Sequence, residues 1–264
     1  MNIKSEHKSL IEKYVKATEW LHSDFSEMDD LIEPIMGIRD WDDSTCVRFG
    51  DKKLLVSVDG PYSKRLVMKS ALIHATTDVV VKGGRPLFAL DTLIGIKEEI
   101  RDMAESLKRQ ALAMRIPILG GNTLFEDVEP RCSLTVIGEL ILENPIRDST
   151  SEEGDLLVLL GEPIWGSQEE RIPKAKKLFE TWFEILNKIK IHAAKDVTKG
   201  GLISTLYEIS EKSGMEFELE REIPFPMTRN LDNFLISIPE TDYKILLDIC
   251  RERGCEVHKI GVVR

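Results

Sequence analysis

Residues 195–202 read Lys-Asp-Val-Thr-Lys-Gly-Gly-Leu, and the segments on either side change character across them. Downstream, about Gly200 to Lys212, lies a helical pattern; upstream, His192 to Lys199 reads as a loop. Asp196 or Thr198 is placed to cap the helix, while the paired glycines and the helix N-terminus favour an anion. Lys195 and Lys199 would add positive charge there. Capping alone accounts for the pattern equally well.

Working outward, strand and helix signals alternate. Asp155–Leu160 reads as a buried strand and Gln168 to about Lys190 as a long amphipathic helix with Leu178, Trp182, Ile185 and Leu186 inward. Met215–Leu219 and Phe234–Ile238 read as strands, Thr241–Arg253 as a helix and Glu256–Val263 as a last strand. Asn144–Gly154 is polar and turn-rich, which puts a domain boundary there and predicts domains over 1–145 and 146–264. On its other side Ser5 to about Glu33 reads as helical, with Leu10, Ile11, Tyr14 and Val15 on one face. Lys53–Val58 is a strand stopped by Asp59-Gly60-Pro61. A helix from Leu66 to Lys82 ends at Gly83-Gly84, Pro86–Leu93 is a strand, and Lys97–Met114 is an amphipathic helix. Pro117–Leu119 runs as a strand into a Gly120-Gly121-Asn122-Thr123 turn, and Ser133–Ile141 is another strand. The alternation predicts an α+β (mixed α/β) fold.

Composition limits the function. The 264 residues carry a net charge of -10, which excludes a nucleic-acid backbone or an anionic membrane as the expected partner. No apolar run approaches the ~20 residues of a membrane span and no secretory signal is visible, so a cytoplasmic protein is expected. The four cysteines, Cys46, Cys132, Cys250 and Cys255, are dispersed without a Cys-x-x-Cys pair, and neither a disulfide framework nor a zinc site follows. There is no Gly-x4-Gly-Lys-Ser/Thr loop, dinucleotide fingerprint, nucleophile elbow, zinc-protease motif or kinase signature. His192 is a candidate general base, although a lone histidine in a loop is usually polar surface.

Candidate chemistry therefore rests on dispersed acids and glycine turns. Asp40, Asp42 and Asp43 crowd together before a strand, which is costly unless they are exposed, paired or metal-bound. Asp59 closes a strand. Asp78 sits among Ala71, Leu72, Ile73, Ala75, Val79, Val80 and Val81, so its carboxylate must face solvent or a compensating partner. Gly120 and Gly121 let backbone N–H groups approach a ligand, beside the neutral oxygens of Asn122 and Thr123.

In this order the clusters resemble the aminoimidazole ribonucleotide synthetase superfamily, with selenophosphate synthetase, thiamine monophosphate kinase, formylglycinamide ribonucleotide amidotransferase and a hydrogenase maturation factor. The matching segments are Asp42-Asp43-Ser44-Thr45, Val58-Asp59-Gly60, Thr77-Asp78 with Gly83-Gly84-Arg85-Pro86, Gly120-Gly121-Asn122-Thr123, Asp196-Val197-Thr198-Lys199-Gly200-Gly201-Leu202 and the closing Ile260-Gly261-Val262-Val263. Arg147-Asp148-Ser149 and Gly161 to Gly166 resemble an uncharacterised branch of that superfamily named as a methanogenesis marker. The resemblance implies a two-domain subunit, its N-terminal mixed sheet carrying helices on one face and pairing with a second copy as a homodimer. It implies ATP and magnesium as cofactors, with Asp42, Asp43, Asp59 and Asp78 as metal ligands and Asp78 and Asp196 as catalytic residues. Gly120, Gly121, Asn122, Thr123, Lys199, Gly200 and Gly201 would bind the nucleotide. The implied activity is phosphoryl transfer to, or ATP-driven activation of, a metabolite or protein acceptor; the alternative is a non-catalytic nucleotide-binding regulatory or assembly protein. Two departures bear on that choice. Asn122 stands where the superfamily commonly has an acid, and Lys199 where it often has a small or acidic residue.

Overall fold

The computed structural model describes residues 7–264, so the start of the helical stretch placed at Ser5 lies outside the described residues. The chain forms two compact units that are not contiguous halves. One comprises Asp43–Pro145 with Trp165–Lys176; the other comprises the described residues up to Asp42, Ile146–Ile164 and Lys177–Arg264.

In the second of these units, α1 (Lys8–Tyr14) and α2 (Glu19–Phe25) alternate with 3-10 turns at Lys16–Thr18 and Ser26–Leu31, so the continuous N-terminal helix is broken. Ile11 and Val15 are buried against Tyr207, whereas Tyr14 is exposed and Leu10 only half-buried.

The Asp43–Pro145 unit holds β1 (Thr45–Phe49), β2 (Lys52–Ser63), α3 (Lys64–Val67), α4 (Ala71–Val81), β3 (Gly84–Gly95), α5 (Lys97–Met114), β4 (Ile118–Phe125) and β5 (Arg131–Leu140). The sheet order is β1-β2-β5-β3-β4; only β3–β4 is parallel, as the α5 crossover between them requires. Leu55, Ser57, Leu134, Val136, Ala89 and Leu93 line the buried, helix-bearing face. The opposite face carries exposed Phe49, Val58, Leu90 and Leu124. Three segments differ from the sequence expectation. Asp59-Gly60-Pro61 does not end β2: one extra residue is absorbed as a bulge, Asp59 pairing with Leu134 and Tyr62 with Cys132. The 66–82 helix is two helices, because Ser70 leaves helical geometry and its hydroxyl is held by Arg171 Nη1 at 2.8 Å. Gly120–Thr123 is not a turn but lies inside β4, an edge strand exposed along nearly its whole length.

The other unit continues with β6 (Leu156–Leu160), α6 (Gln168–Ile185, its first turns belonging to the sheet unit above), β7 (Ala193–Asp196), α7 (Gly201–Ser213), β8 (Phe217–Leu219), β9 (Phe234–Ile238), α8 (Tyr243–Arg253) and β10 (Val257–Val263). Its sheet, ordered β7-β9-β6-β10-β8, is antiparallel throughout. β6 and β9 are buried at every residue, as their continuous apolar runs require. Trp182 of α6 packs edge-on against Phe234 of β9 at 5.4 Å between ring centroids. The 192–199 loop contains a strand, β7, pairing with β9. Mixed strands and helices, with helices on one face of the first sheet, are the α+β architecture expected.

Candidate functional site

Strand and helix periodicities meet on the buried face of the first sheet. Ser57 and Asp59 are two residues apart on β2, about 6.7 Å along the strand, and His74 and Asp78 are four apart on α4, about 6 Å along the helix. The near-equal spacings make two rungs. Ser57 Oγ donates to Asp78 Oδ2 at 2.7 Å, and His74 Nε2 lies 3.4 Å from Asp59 Oδ2. Asp59 is further fixed by the Tyr62 hydroxyl at 2.6 Å, which the β2 bulge places on the same side, and by the Gly60 amide at 2.7 Å. α4 is buried at every position except Asp78. The one carboxylate of this helix is thus its only position that is not buried, and it lies one helical turn from the rung that holds Asp59.

The acids at positions 40, 42 and 43 have cations beside them. Asp42, with a side chain 0% exposed, accepts from Arg147 Nε at 2.7 Å and from the Asp148 amide at 2.8 Å. Arg147 also reaches Asp40 at 2.6 Å. Asp43 lies 3.4 Å from the ammonium of Lys82, which is fully buried. Pairing, not exposure, therefore answers the repulsion expected of three crowded acids. Among the described residues no three His, Cys, Asp or Glu side chains converge as a ready metal cluster, so the four aspartates do not form an assembled ligand set. Asp42 and Asp43 moreover fall in different units.

The glycine stretches have local packing reasons. Asp59, Leu134, Asp91 and Gly121 form one row across β2, β5, β3 and β4, which sets Gly121 three strand spacings, about 14 Å, from Asp59. A Cβ on Gly121 would lie 1.9 Å from the Asp91 carbonyl oxygen, so glycine is required for β4 to approach β3. Gly120 through Thr123 are consequently not brought next to Asp59 and Asp78 within this unit. Under the same edge, Asp91, Ala104, Leu107, Ala111 and Ile118 line a cavity of about 490 Å³. Burial raises the Asp91 carboxyl above its ordinary value.

Gly200 and Gly201 have φ of +82° and +69° and are buried, a Cβ on Gly201 falling 2.6 Å from the Arg229 amide nitrogen. No side chain caps α7, in contrast to the expected role of Asp196 or Thr198. Its first turn is satisfied by backbone: the Gly201 amide donates to Thr198 O and the Ile203 amide to Met227 O, both at 2.9 Å. Two of the amides that an anion would use are thus engaged. Asp196 is 1% exposed at the end of β7. Lys195 is buried between Glu208, at 3.1 Å, and Asp148, at 3.5 Å, and only Lys199 is an exposed cation.

Two polar clusters were not apparent in the sequence. Asp148, fully buried, joins Lys195 to Lys212 Nζ at 2.9 Å, and Lys212 also donates to Trp41 O. His192 is no surface residue. It is 9% exposed, with Nδ1 2.8 Å from both oxygens of Asp155, which also accepts from Ser237 Oγ at 2.7 Å. The Asp-Leu-Leu-Val-Leu-Leu strand start offered a weak signal, an acid at the mouth of a continuously apolar, buried strand.

Comparison with known proteins supplies the frame. The family model for the AIR synthase related protein, N-terminal domain, matches residues 41–140, and that for the C-terminal domain matches residues 162–264. An uncharacterised protein of Methanocaldococcus jannaschii is 39% identical over 268 residues, covering 98% of this chain and 88% of that one. The selenide, water dikinase of Treponema denticola is 27% identical over 213 residues, 70% of this chain and 59% of the enzyme. Thermotoga maritima PurL complexed with ATP superposes with a TM-score of 0.70 at 17% identity, over 83% of this chain and 41% of that one. This chain thus spans well under two thirds of either named enzyme. Motif order, two-unit fold and both domain matches agree: the chain belongs to the AIR synthase related family, within the aminoimidazole ribonucleotide synthetase superfamily.

Proposed function

We propose that the protein binds ATP with magnesium and uses it to phosphorylate an acceptor or to activate one through a phosphorylated intermediate. The observation that carries the proposal is Asp78, the one unburied residue of α4, held beside Asp59 on the facing strand. The donor chemistry fits. Magnesium prefers hard oxygen ligands and is usually bound by one or two carboxylates plus phosphates and water rather than by an all-protein cage. Two carboxylates without a third converging ligand suit that mode. When bound, magnesium offsets the charge on the phosphates.

In this reading the chain's own residues pre-set the oxygens. Tyr62 and the Gly60 amide fix the rotamer of Asp59, and Ser57 helps to fix that of Asp78. Within the sheet unit, Asp43 joins the ligand set by exchanging Lys82 for the metal. Asp42, Asp196 and Lys199, in the other unit, are assigned to the nucleotide and the reaction by the superfamily resemblance alone. The apolar sheet face with Phe49, Val58, Leu90 and Leu124 supports a homodimer formed through the sheet unit. A cytoplasmic location accords with the described residues containing no helix long and apolar enough to cross a membrane.

Isothermal titration with ATP, with and without magnesium, tests the site. Loss of a charge-assisted contact is worth about 1.5–3 kcal/mol, so Asp59→Asn or Asp78→Asn should weaken magnesium-dependent binding ~10–100-fold. Unchanged affinity in the double variant would remove these residues from the site. The second reading, a non-catalytic nucleotide-binding subunit, is favoured by Asn122 in place of an acid. Acceptor-dependent release of ADP or AMP separates the two.

A further inference from the structure

Three cations open onto one groove of the sheet unit. Arg65, Lys69 and Arg109, with Met68 and Gln168, line a cavity of about 590 Å³, a size that suits a small metabolite. The Met68 amide donates to Lys64 O at 2.9 Å and the Ser70 amide to Leu66 O at 2.9 Å, so the turn of α3 continues past Val67. Arg65 and Lys69, four positions apart on that turn, therefore share a side. Trp165–Lys176 belongs to the same unit, so the whole lining lies within it. Lys64, at the rim, is held by Glu99 and by Asp102 Oδ2 at 2.6 Å. Among the described residues Arg65 and Lys69 have no acid partner, on a chain whose net charge is -10.

The packing behind the groove is polar. Gln168 is 5% exposed, and Ser106 and Gln110 are fully buried. Gln168 Nε2 donates to Ser106 Oγ at 2.8 Å, and Ser106 Oγ and Gln110 Nε2 donate to Val67 O at 3.0 and 2.8 Å. The Leu72 amide donates to Gln110 Oε1 at 3.0 Å. This buried network locks Gln168, whose Oε1 accepts from Arg109 Nε at 3.1 Å. A neutral amide thus orients the guanidinium without cancelling its charge, unlike the carboxylates that hold Lys64. Glu169 is the opposing charge in the lining. Hydrogen bonds with its own amide and with Ser167 hold its carboxyl below the ordinary value, and Arg109 acts in the same direction. The Ser167 amide is taken by Glu170 Oε2 at 2.7 Å, so the cations, not the start of α6, supply the attraction.

We propose that this groove binds a small phosphorylated metabolite, its phosphate held by Arg65, Lys69 and Arg109 and its uncharged part lying over Met68. A phosphate monoester brings nearly two negative charges and three acceptor oxygens, which matches three cations better than a single carboxylate does. An arginine held at Nε presents its terminal nitrogens as a fork to two of those oxygens. None of these residues belongs to the magnesium site proposed above, and the groove stands or falls without it.

The test uses glycerol 3-phosphate on the intact protein, without ATP or magnesium. Acetylation of lysines and phenylglyoxal modification of arginines are followed by peptide mass spectrometry. At about ten times the dissociation constant the ligand should slow modification of Arg65, Lys69 and Arg109 roughly ten-fold, leaving exposed Arg48 unaffected. Arg109→Gln or Lys69→Gln should weaken binding ~10–100-fold, and Glu169→Gln should tighten it. Equal modification with and without the ligand, or the same protection from sodium chloride at matched ionic strength, would overturn the proposal. The parent protein's modification pattern decides the matter even if a variant folds poorly. The Lys69→Gln, Arg109→Gln double variant should keep the magnesium-dependent ATP affinity of the parent. Joint loss of ATP and glycerol 3-phosphate binding would make the groove part of the nucleotide's own site and overturn the assignment to a separate metabolite.

Discussion

Lys82→Met tests the claim that buried pairing with a cation accommodates the Asp43 carboxylate. The Lys82 and Asp43 side chains are 0% and 8% exposed, with 3.4 Å between the ammonium and the carboxylate. At an effective dielectric near 20, a pair at that distance attracts by about 5 kcal/mol. Desolvating each ion costs several kcal/mol, so the pair as a whole contributes little net stability, but removing Lys82 takes a compensating cation away from a buried carboxylate. Lys82→Met should therefore destabilise the sheet unit by roughly 3–5 kcal/mol, whereas Lys82→Met with Asp43→Leu should return to within about 1 kcal/mol of the parent. Because the chain has two units, one global unfolding energy is ill-defined, and native-state hydrogen exchange at the α4 amides is the suitable assay. A single variant within 1 kcal/mol of the parent, or a double variant as unstable as the single, would refute the pairing argument.

Gly121→Ala should cost at least ~1–3 kcal/mol through overpacking and deprotect the β3–β4 amides in hydrogen exchange, since its Cβ meets the Asp91 backbone; unchanged protection would contradict the close approach. Asp91 has a folded carboxyl raised by burial, so the native state binds more protons than the unfolded one between the ordinary and the raised value, and its stability contribution falls as pH rises through that window. Asp91→Asn should accordingly raise the melting temperature at neutral pH, with the gain vanishing below about pH 4; a pH-independent gain would assign the effect to packing. Ile11→Ala should cost about 2–5 kcal/mol and free α1 from Tyr207, seen as α1 cleavage in limited proteolysis; equal cleavage of parent and variant would show that the contact does not hold α1 down.

What the sequence made legible was whatever depends on local periodicity. α5 runs from Lys97 to Met114 and β9 from Phe234 to Ile238, as their patterns predict. Asp78 was identifiable because a carboxylate amid valines has few tolerable orientations, and the structure places it at the one unburied position of its helix. Long-range pairings were not legible: Arg147 meets Asp42 across 105 positions, and no local rule assigns that partner. Glycines misled in a consistent way. At Gly60 and Gly121 they mark a bulge and a close strand approach rather than strand ends, and a single chain gives no means of telling these apart. His192 looked like surface because Asp155, its buried partner, comes 37 positions earlier.

The interleaving of the two units imposes an order of events on a chain made from its N-terminus. The sheet unit around Asp43–Pro145 has most of its residues as soon as β5 emerges. The helix α1, by contrast, precedes that unit in the chain yet packs on Tyr207, nearly two hundred positions later. Ile11 and Val15 must therefore wait, uncovered, through the translation of an entire neighbouring unit, which at about 5–20 residues per second is an interval of some ten seconds or more. Any factor that shields a nascent apolar segment has its natural client there, in α1.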